Sequence, residues 1–422
     1  MKRIIGYLQP LLMIFIIDAI AFSLLYLYKK TFDIYILGVG LTVFTIICIG
    51  FFLNLKKDLG DEYLFIIVSM LASIGIIMLY RLNREVGMKQ VVWFAIGVVL
   101  FFASHFISIK IKRLDRLIFL YFAGAIALFL LTLIFGTNIK GAKNWIIIAG
   151  QSVQPSEFIK ILFILFLASY YKNPERLDIK FKILPFKISG KYVMTTCAYV
   201  FMGFLILQKE WGSTLLLFLV YFSMLFVFDN NKTLLILNTL AALPVGILGY
   251  LKVYHVRVRI DTWLDPWKDI ADKGYQITQS LFAIGEGGFF GEGLGLGSPD
   301  MIPEVIGDFI YSAICEELGI FTGIAVVLLF FLLVYRGFKI SMAARDTFAK
   351  SLALGITLMF GFQTFIIIGG VIKLIPLTGI TLPFISYGGS SLTASYIALG
   401  ILHAVSNNQF ETRQNNLPGG AL

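Results

Sequence analysis

Asp261, Asp265, Asp269 and Asp272 crowd into the stretch DTWLDPWKDIADKGYQ, with Lys268 and Lys273 among them. A carboxylate in such company can take a proton from a hydroxyl as a bond forms, which is general-base chemistry. Neighbouring carboxylates oppose one another's ionisation and neighbouring lysines favour it, so a segment of this composition can tune a base. Asp265 precedes Pro266 and reads as a helix N-cap with proline at the first helical position. If a short helix follows, Asp269 lies one turn on and Asp272 on a neighbouring face. Spacing alone does not choose between them.

Three further polar groups stand beside apolar runs, where a charge is costly unless paired or hydrated. In GTNIKGAKNWIIIAGQSVQPSEFIK, Lys140, Lys143 and Trp145 precede Pro155, Ser156, Glu157 and Lys160. Pro155 suits a first helical turn, and Glu157 suits the positive end of the helix dipole. Glu157 and Lys160 form an i,i+3 pair that is either structural or substrate-contacting. In LQKEWGST, Glu210 sits in a tight turn that also reads as an ordinary polar hairpin tip. In VIGDFIYSAICEELG, Asp308, Glu316 and Glu317 run into an apolar segment, where a packing role, a polar network or a substrate contact would account for them. The glycine-rich GEGGFFGEGLGLG could be taken for a phosphate loop. That motif needs a preceding strand and a following helix, and a flexible re-entrant or surface loop is expected here instead.

The elements that must position these residues follow from composition. The 422 residues are 58% hydrophobic and 14% charged, with a mean hydropathy of +0.87. Apolar blocks recur at about 20 residues, the length that crosses a hydrocarbon core of about 30 Å. The fold class is therefore an all-α polytopic membrane protein. Spans are expected at roughly 9–28, 33–53, 61–80, 90–108, 116–135, 155–171, 190–207, 212–229, 232–251, 308–335, 347–370 and 381–404. The paired Gly388 and Gly389 with Ser386, Ser390 and Ser391 permit close helix approach or a broken helix in the last of these. The formal charge of +10 is placed as the positive-inside rule requires, which argues against nucleic acid. Lys110, Lys112, Arg113 and Arg116 lie in one loop, Lys172 to Lys191 span another, and Arg336 to Lys350 a third. With twelve spans these loops and both termini share the cytoplasmic side, and 136–154, the turn at Glu210 and the large loop 252–307 lie outside. The first apolar run is too long for a cleaved signal and reads as a retained span. Cys48, Cys197 and Cys315 and the three histidines are scattered, so neither a metal site nor a disulfide framework is expected.

The blocks KGAKNW…QPSEFIK, QKEWGST, DPWKD…GYQITQSLFAIGEGGFFGEGLGLG, DFIYSAICEELG and PFISYGGSSLTASYIALGIL occur in order, and together they resemble the FtsW/RodA/SpoVE (SEDS) family. The resemblance covers 61–408 as a ten-helix core, leaving 1–60 as two extra N-terminal helices and 409–422 as a cytoplasmic tail. It implies an enzyme of the bacterial cytoplasmic membrane that polymerises lipid II, the undecaprenyl-diphosphate disaccharide pentapeptide, into peptidoglycan glycan strands. A class B penicillin-binding protein is the implied partner, alongside membrane lipids. A lipid II flippase and a non-catalytic scaffold for the penicillin-binding protein are the competing readings.

The family's catalytic aspartate, six residues before a Gly-Tyr tyrosine, corresponds to Asp269 ahead of Tyr275. The chain departs from the pattern with Ile270 for proline, Asp272 for glycine, Asn144 for arginine, Glu210 for aspartate and Gly307 for threonine. Substrate contacts are expected from Lys143, Trp145, Ser156, Glu157, Lys160, Glu210, Arg257, Arg259, Asp272, Asp308 and Glu316. Of these, Lys143, Lys160, Arg257 and Arg259 are the candidates for the diphosphate, with headgroup contact as the simpler role for the two arginines. A divalent cation (Mg or Mn) could accompany the diphosphate. Trp263 and Trp267 read as interfacial anchors.

Overall fold

The computed structural model describes residues 2–28, 34–57, 59–111, 113–139, 142–148, 150–180, 187–229 and 232–407. Lys112, Lys140, Lys182 and the tail 409–422 lie outside the described residues. In chain order the elements are α1 Lys2–Tyr28, α2 Tyr35–Lys57, α3 Glu62–Leu82, α4 Arg84–Lys110, α5 Ile118–Phe135, β1 Thr137–Ile139, β2 Ala142–Ile148, β3 Gln151–Val153 and α6 Pro155–Lys172. There follow β4 Ile179–Lys180, β5 Lys187–Ile188, α7 Gly190–Leu207, α8 Trp211–Phe228, α9 Lys232–Lys252, α10 Tyr254–Leu264, α11 Tyr275–Glu286, α12 Ile310–Ala343, α13 Thr347–Val371 and α14 Gly389–Val405. Ten of these helices are long and apolar enough to cross a membrane. The two other expected spans, α6 and α14, are also helical: α6 carries the three charges Glu157, Lys160 and Lys172, and α14 has 17 residues. The chain is a multi-pass α-helical membrane protein.

Three local expectations need correction. The stretch 136–154, read as a plain loop, holds the antiparallel sheet β1-β2-β3, whose strand β2 is the run of isoleucines after Trp145. The last span begins at Gly389 rather than near 381, because Pro376, Gly379, Pro383 and Gly388 keep 372–388 out of a helix. Finally, α12 continues to Ala343 and is broken at Gly319.

Two compact units make up the chain. One comprises Met1–Leu100, Tyr250–Leu333 and Gln363–Ser395, the other Phe101–Gly249, Val334–Phe362 and Tyr396–Leu422. In the first, α3 is buried on nearly every side, as an all-round apolar helix must be. The two N-terminal helices α1 and α2 pack on it, and Asp18 of α1 accepts a 3.1 Å hydrogen bond from Ser73 of α3.

The break in α12 organises the rest of this unit. A helix interruption strands backbone donors and acceptors that need partners. The glycine loop supplies them: Glu292 N donates to Glu316 O at 2.9 Å, Gly293 N to Glu317 O at 3.0 Å and, in the other direction, Ile320 N to Gly288 O at 3.0 Å. Two glycines make the approach possible. Gly319 has φ 80 and a Cβ there would stand 2.4 Å from Phe289 O, while one on Gly291 would stand 2.3 Å from Glu317 O. The expected flexible loop is thus a fitted part of the helix break.

The second unit is centred on a phenylalanine cluster between α5, α6 and α7. The Phe201 ring lies 5.1 Å from that of Phe163, 6.0 Å from Phe166 and 6.1 Å from Phe129, centroid to centroid. All four are fully buried.

Candidate functional site

In the first unit, α9 ends at Lys252 and the chain enters α10, none of whose residues is buried. Asp265 then caps a short 3-10 turn, Pro266–Asp269, by accepting from Trp267 N at 3.2 Å, as the Asp-Pro pair predicts. The chain closes on itself at Gly274, whose N–H donates to Asp269 O at 2.8 Å, and Tyr275 N donates to Asp272 O at 3.2 Å. Asp269 and Lys273 therefore belong to one tight turn leading into α11. The Asp269 side chain is half-buried, and Asp272 is exposed. Neither carboxylate has a hydrogen-bond or ion-pair partner among the described residues, so each is available to a ligand.

Beside this turn lies a cavity of about 260 Å³, with Arg259, Lys273, Lys373, His255, Asp308 and Trp263 among its walls. Arg259 donates to Thr378 O at 2.5 Å. Burial works against its positive charge, and Asp308 supports it. Lys373 has φ 62, in the left-handed region, and its carbonyl accepts from Trp263 Nε1 at 3.2 Å. Two of the sequence candidates in this unit have structural employment instead. Arg257 is exposed and donates to the last carbonyls of α9, at 3.2 Å to Tyr250 O and also to Leu251 O. Glu316 is buried and accepts from Ser298 N at 2.6 Å.

Glu317 does the same on a larger scale. Its Oε2 accepts from Gly295 N at 2.9 Å and its Oε1 from Arg81 Nε at 2.7 Å, and Arg81 also donates to Gly297 O at 2.8 Å. The two glutamates and Arg81 thereby hold the glycine loop at the α12 break. Sequence reasoning did not single out Arg81, whose partner Glu317 lies 236 positions away. It also missed Lys373, an isolated cation in VIKLIP whose position between apolar runs was the available signal.

The second unit gathers most of the remaining candidates. Lys143 on β2 is exposed and donates to Leu133 O, near the end of α5, at 2.6 Å. Trp145 is half-buried opposite Thr137, whose hydroxyl donates to its carbonyl at 3.1 Å. Pro155 opens α6, and the Glu157–Lys160 pair is formed at 2.8 Å with both side chains buried. Gln154 Nε2 and Ser156 Oγ each donate to Glu210 Oε1 at 3.0 Å. Glu210 occupies the turn before α8, and its Oε2 is buried with no hydrogen-bond partner. The hairpin-tip reading of Glu210 therefore gives way to a buried acid at the centre of a polar cluster.

Burial pushes the Glu210 carboxyl above its ordinary value, against the opposing hydrogen bonds from Gln154 and Ser156. A carboxyl raised on folding contributes stability that is complete below its unfolded value of about 4.5 and is lost as pH rises through the folded value. Glu210→Gln should remove this loss: the parent's thermal stability falls with rising pH above about 4.5 relative to the variant's. Parallel pH profiles for the two proteins would overturn this account of the cluster.

Comparison with known proteins agrees with these features. Residues 61–411 match the FtsW/RodA/SpoVE family, described as a cell cycle protein. The peptidoglycan glycosyltransferase RodA of Mycobacterium tuberculosis (strain ATCC 25618 / H37Rv) is 34% identical over 376 residues, covering 82% of this chain and 78% of its own. The stage V sporulation protein E of Bacillus subtilis (strain 168) is 34% identical over 372 residues, covering 83% and 98% respectively. The fold is shared with a chain of a solved peptidoglycan synthase complex, with a TM-score of 0.68 at 24% identity over 85% of this chain and 99% of that one. With its motif blocks in order and its helical core matched along most of its length, the chain is a member of the FtsW/RodA/SpoVE family.

Proposed function

We propose that this chain polymerises lipid II into glycan strands on the outer face of the cytoplasmic membrane, with Asp269 as the general base. Its curated relatives are peptidoglycan glycosyltransferases, and the chain is an enzyme of that class. The observation that carries the residue-level reading is the half-buried Asp269 carboxylate, without a side-chain partner among the described residues, on a closed turn that also holds Lys273 of the cationic cavity.

In the reaction the acceptor GlcNAc 4-hydroxyl oxygen attacks C1 of the donor MurNAc. The hydroxyl proton passes to Asp269, the C1–O bond to the diphosphate breaks, and its electron pair leaves with the diphosphate oxygen. General-base help of this kind is worth roughly 100- to 10,000-fold. The negative charge that develops on the leaving group calls for fixed cations, and in this reading Arg259, which lines the cavity beside the Asp269 turn, supplies one. Lys160 is engaged with Glu157, and in our reading that pair, with Ser156 and Glu210, orders a polar surface for the substrate. No three His, Cys, Asp or Glu side chains converge to hold a metal among the described residues. A divalent cation thus enters this reading only as a companion of the diphosphate, and no step is routed through it. The reading also includes cytoplasmic termini, as the loop charges require, and a class B penicillin-binding protein that crosslinks the product.

The test is conversion of labelled lipid II by the purified chain, alone and with its transpeptidase partner. Glycan polymer is the expected product. Lipid II that crosses vesicle membranes without polymer forming would replace the proposal with transport. Polymer made by a partner protein regardless of this chain's own residues would replace it with scaffolding.

A further inference from the structure

The cavity beside the Asp269 turn places three cationic side chains, Arg259, Lys273 and Lys373, against one carboxylate, Asp308. Neither lysine has an ion-pair or hydrogen-bond partner for its ammonium among the described residues. An excess of positive charge along the walls of a surface cavity is a recognition site for an anion. At about 260 Å³ the cavity is slightly smaller than the ~300 Å³ at which drug-sized pockets begin. That suits one or two phosphate groups.

Two boundaries of the cavity say what carries the anion. On one side stands Gly370, near the end of the apolar helix α13, and Lys373 follows two residues after that helix. Ile375 and Leu377 continue this wall with apolar surface. Lys273, also on the cavity wall, shares its turn with Asp269. A ligand here has its charge between a membrane-helix end and the carboxylate turn, as would a phosphate joining a lipid tail to a sugar. Lys373 is held in place at a backbone cost. Its φ of 62 is a conformation that glycine adopts freely and lysine does not, and such outliers persist where the surroundings over-determine them.

We propose that the pocket formed by Arg259, Lys273 and Lys373 binds the diphosphate of a polyprenyl-linked substrate or product, with Lys373 as a determinant of that affinity. This deepens the polymerase reading and rests on it. Phosphate chemistry could equally come from bulk anionic lipid or from a free anion, so the test separates the sources.

The full chain is placed in phosphatidylcholine nanodiscs, and binding of a fluorescent short-chain polyprenyl diphosphate is measured for the parent, Lys373→Gly and Lys273→Gln. Lys373→Gly should weaken binding at least tenfold while its thermal stability equals or exceeds the parent's, because glycine relaxes the backbone. Lys273→Gln should weaken binding in the same direction. Unchanged affinity in both lysine variants overturns the pocket. Equal displacement by inorganic pyrophosphate overturns the lipid-borne assignment in favour of a free-anion site. Displacement by adding phosphatidylglycerol to the discs overturns it in favour of bulk lipid. The two readings also fail separately. A parent that binds the diphosphate through Lys373 yet makes no polymer from lipid II removes the polymerase reading and leaves the pocket. A parent that makes polymer while Lys373→Gly retains its affinity and KM removes the pocket alone.

Discussion

Asp269→Asn should abolish glycan polymerisation, with a fall of roughly 100- to 10,000-fold in the rate from lipid II, and should leave the protein folded. Asparagine keeps the shape of the side chain and cannot accept the hydroxyl proton. The fold has little to lose by the exchange, because no hydrogen bond or ion pair of the Asp269 side chain exists among the described residues to be broken. The turn is closed by the backbone instead, through Gly274 N and Asp269 O at 2.8 Å. Loss of activity with an unchanged melting temperature is therefore the signature of a chemical role. Asp272→Asn is the internal control. Its carboxylate is exposed three residues away, and its replacement should cost no more than about threefold, well under one general-base effect. Parent-like polymerisation by Asp269→Asn together with collapse in Asp272→Asn would move the base to Asp272, the alternative that spacing leaves open.

The largest effect on stability is expected at the break in α12. Gly319 has φ 80 and ψ 167, a region that side-chain-bearing residues occupy only at a cost of about 1–3 kcal/mol. Gly319→Ala adds a steric conflict to that cost, since its Cβ would meet Phe289 O at 2.4 Å and Gly291 N at 2.5 Å. Both are backbone atoms, so no rotamer change relieves the contact. The glycine loop would have to withdraw, exposing the unpaired backbone groups of the break and pulling Gly295 and Ser298 away from Glu317 and Glu316. A destabilisation of about 3 kcal/mol or more follows, read as a lower melting temperature and a smaller folded fraction in detergent. Gly203→Ala on α7 is the matched control: nothing lies within 4 Å of its Cβ position, and the change should be neutral or slightly stabilising. Equal melting temperatures for Gly319→Ala and the parent would show that the loop does not seal the helix break.

The membrane class and the succession of spans were legible in the sequence because they depend on the length and apolarity of contiguous residues, which no distant contact alters. The Asp265 cap and the Glu157–Lys160 pair were legible too, being contacts between near neighbours in the chain. The order of motif blocks identified the family. Tertiary structure decided the rest, since it depends on residues far apart in sequence. Arg81 carries no motif, and only the fold sets it against Glu317, 236 positions away. Glu210 looked like a hairpin tip until Gln154 and Ser156 closed over it from another helix. Lys373 carried no motif, and only the packing of Trp263 against its carbonyl, across 110 positions, places its charge beside the turn that holds Asp269. Local patterns specify what each segment can become, and contacts between residues distant in sequence determine which polar groups are buried against one another.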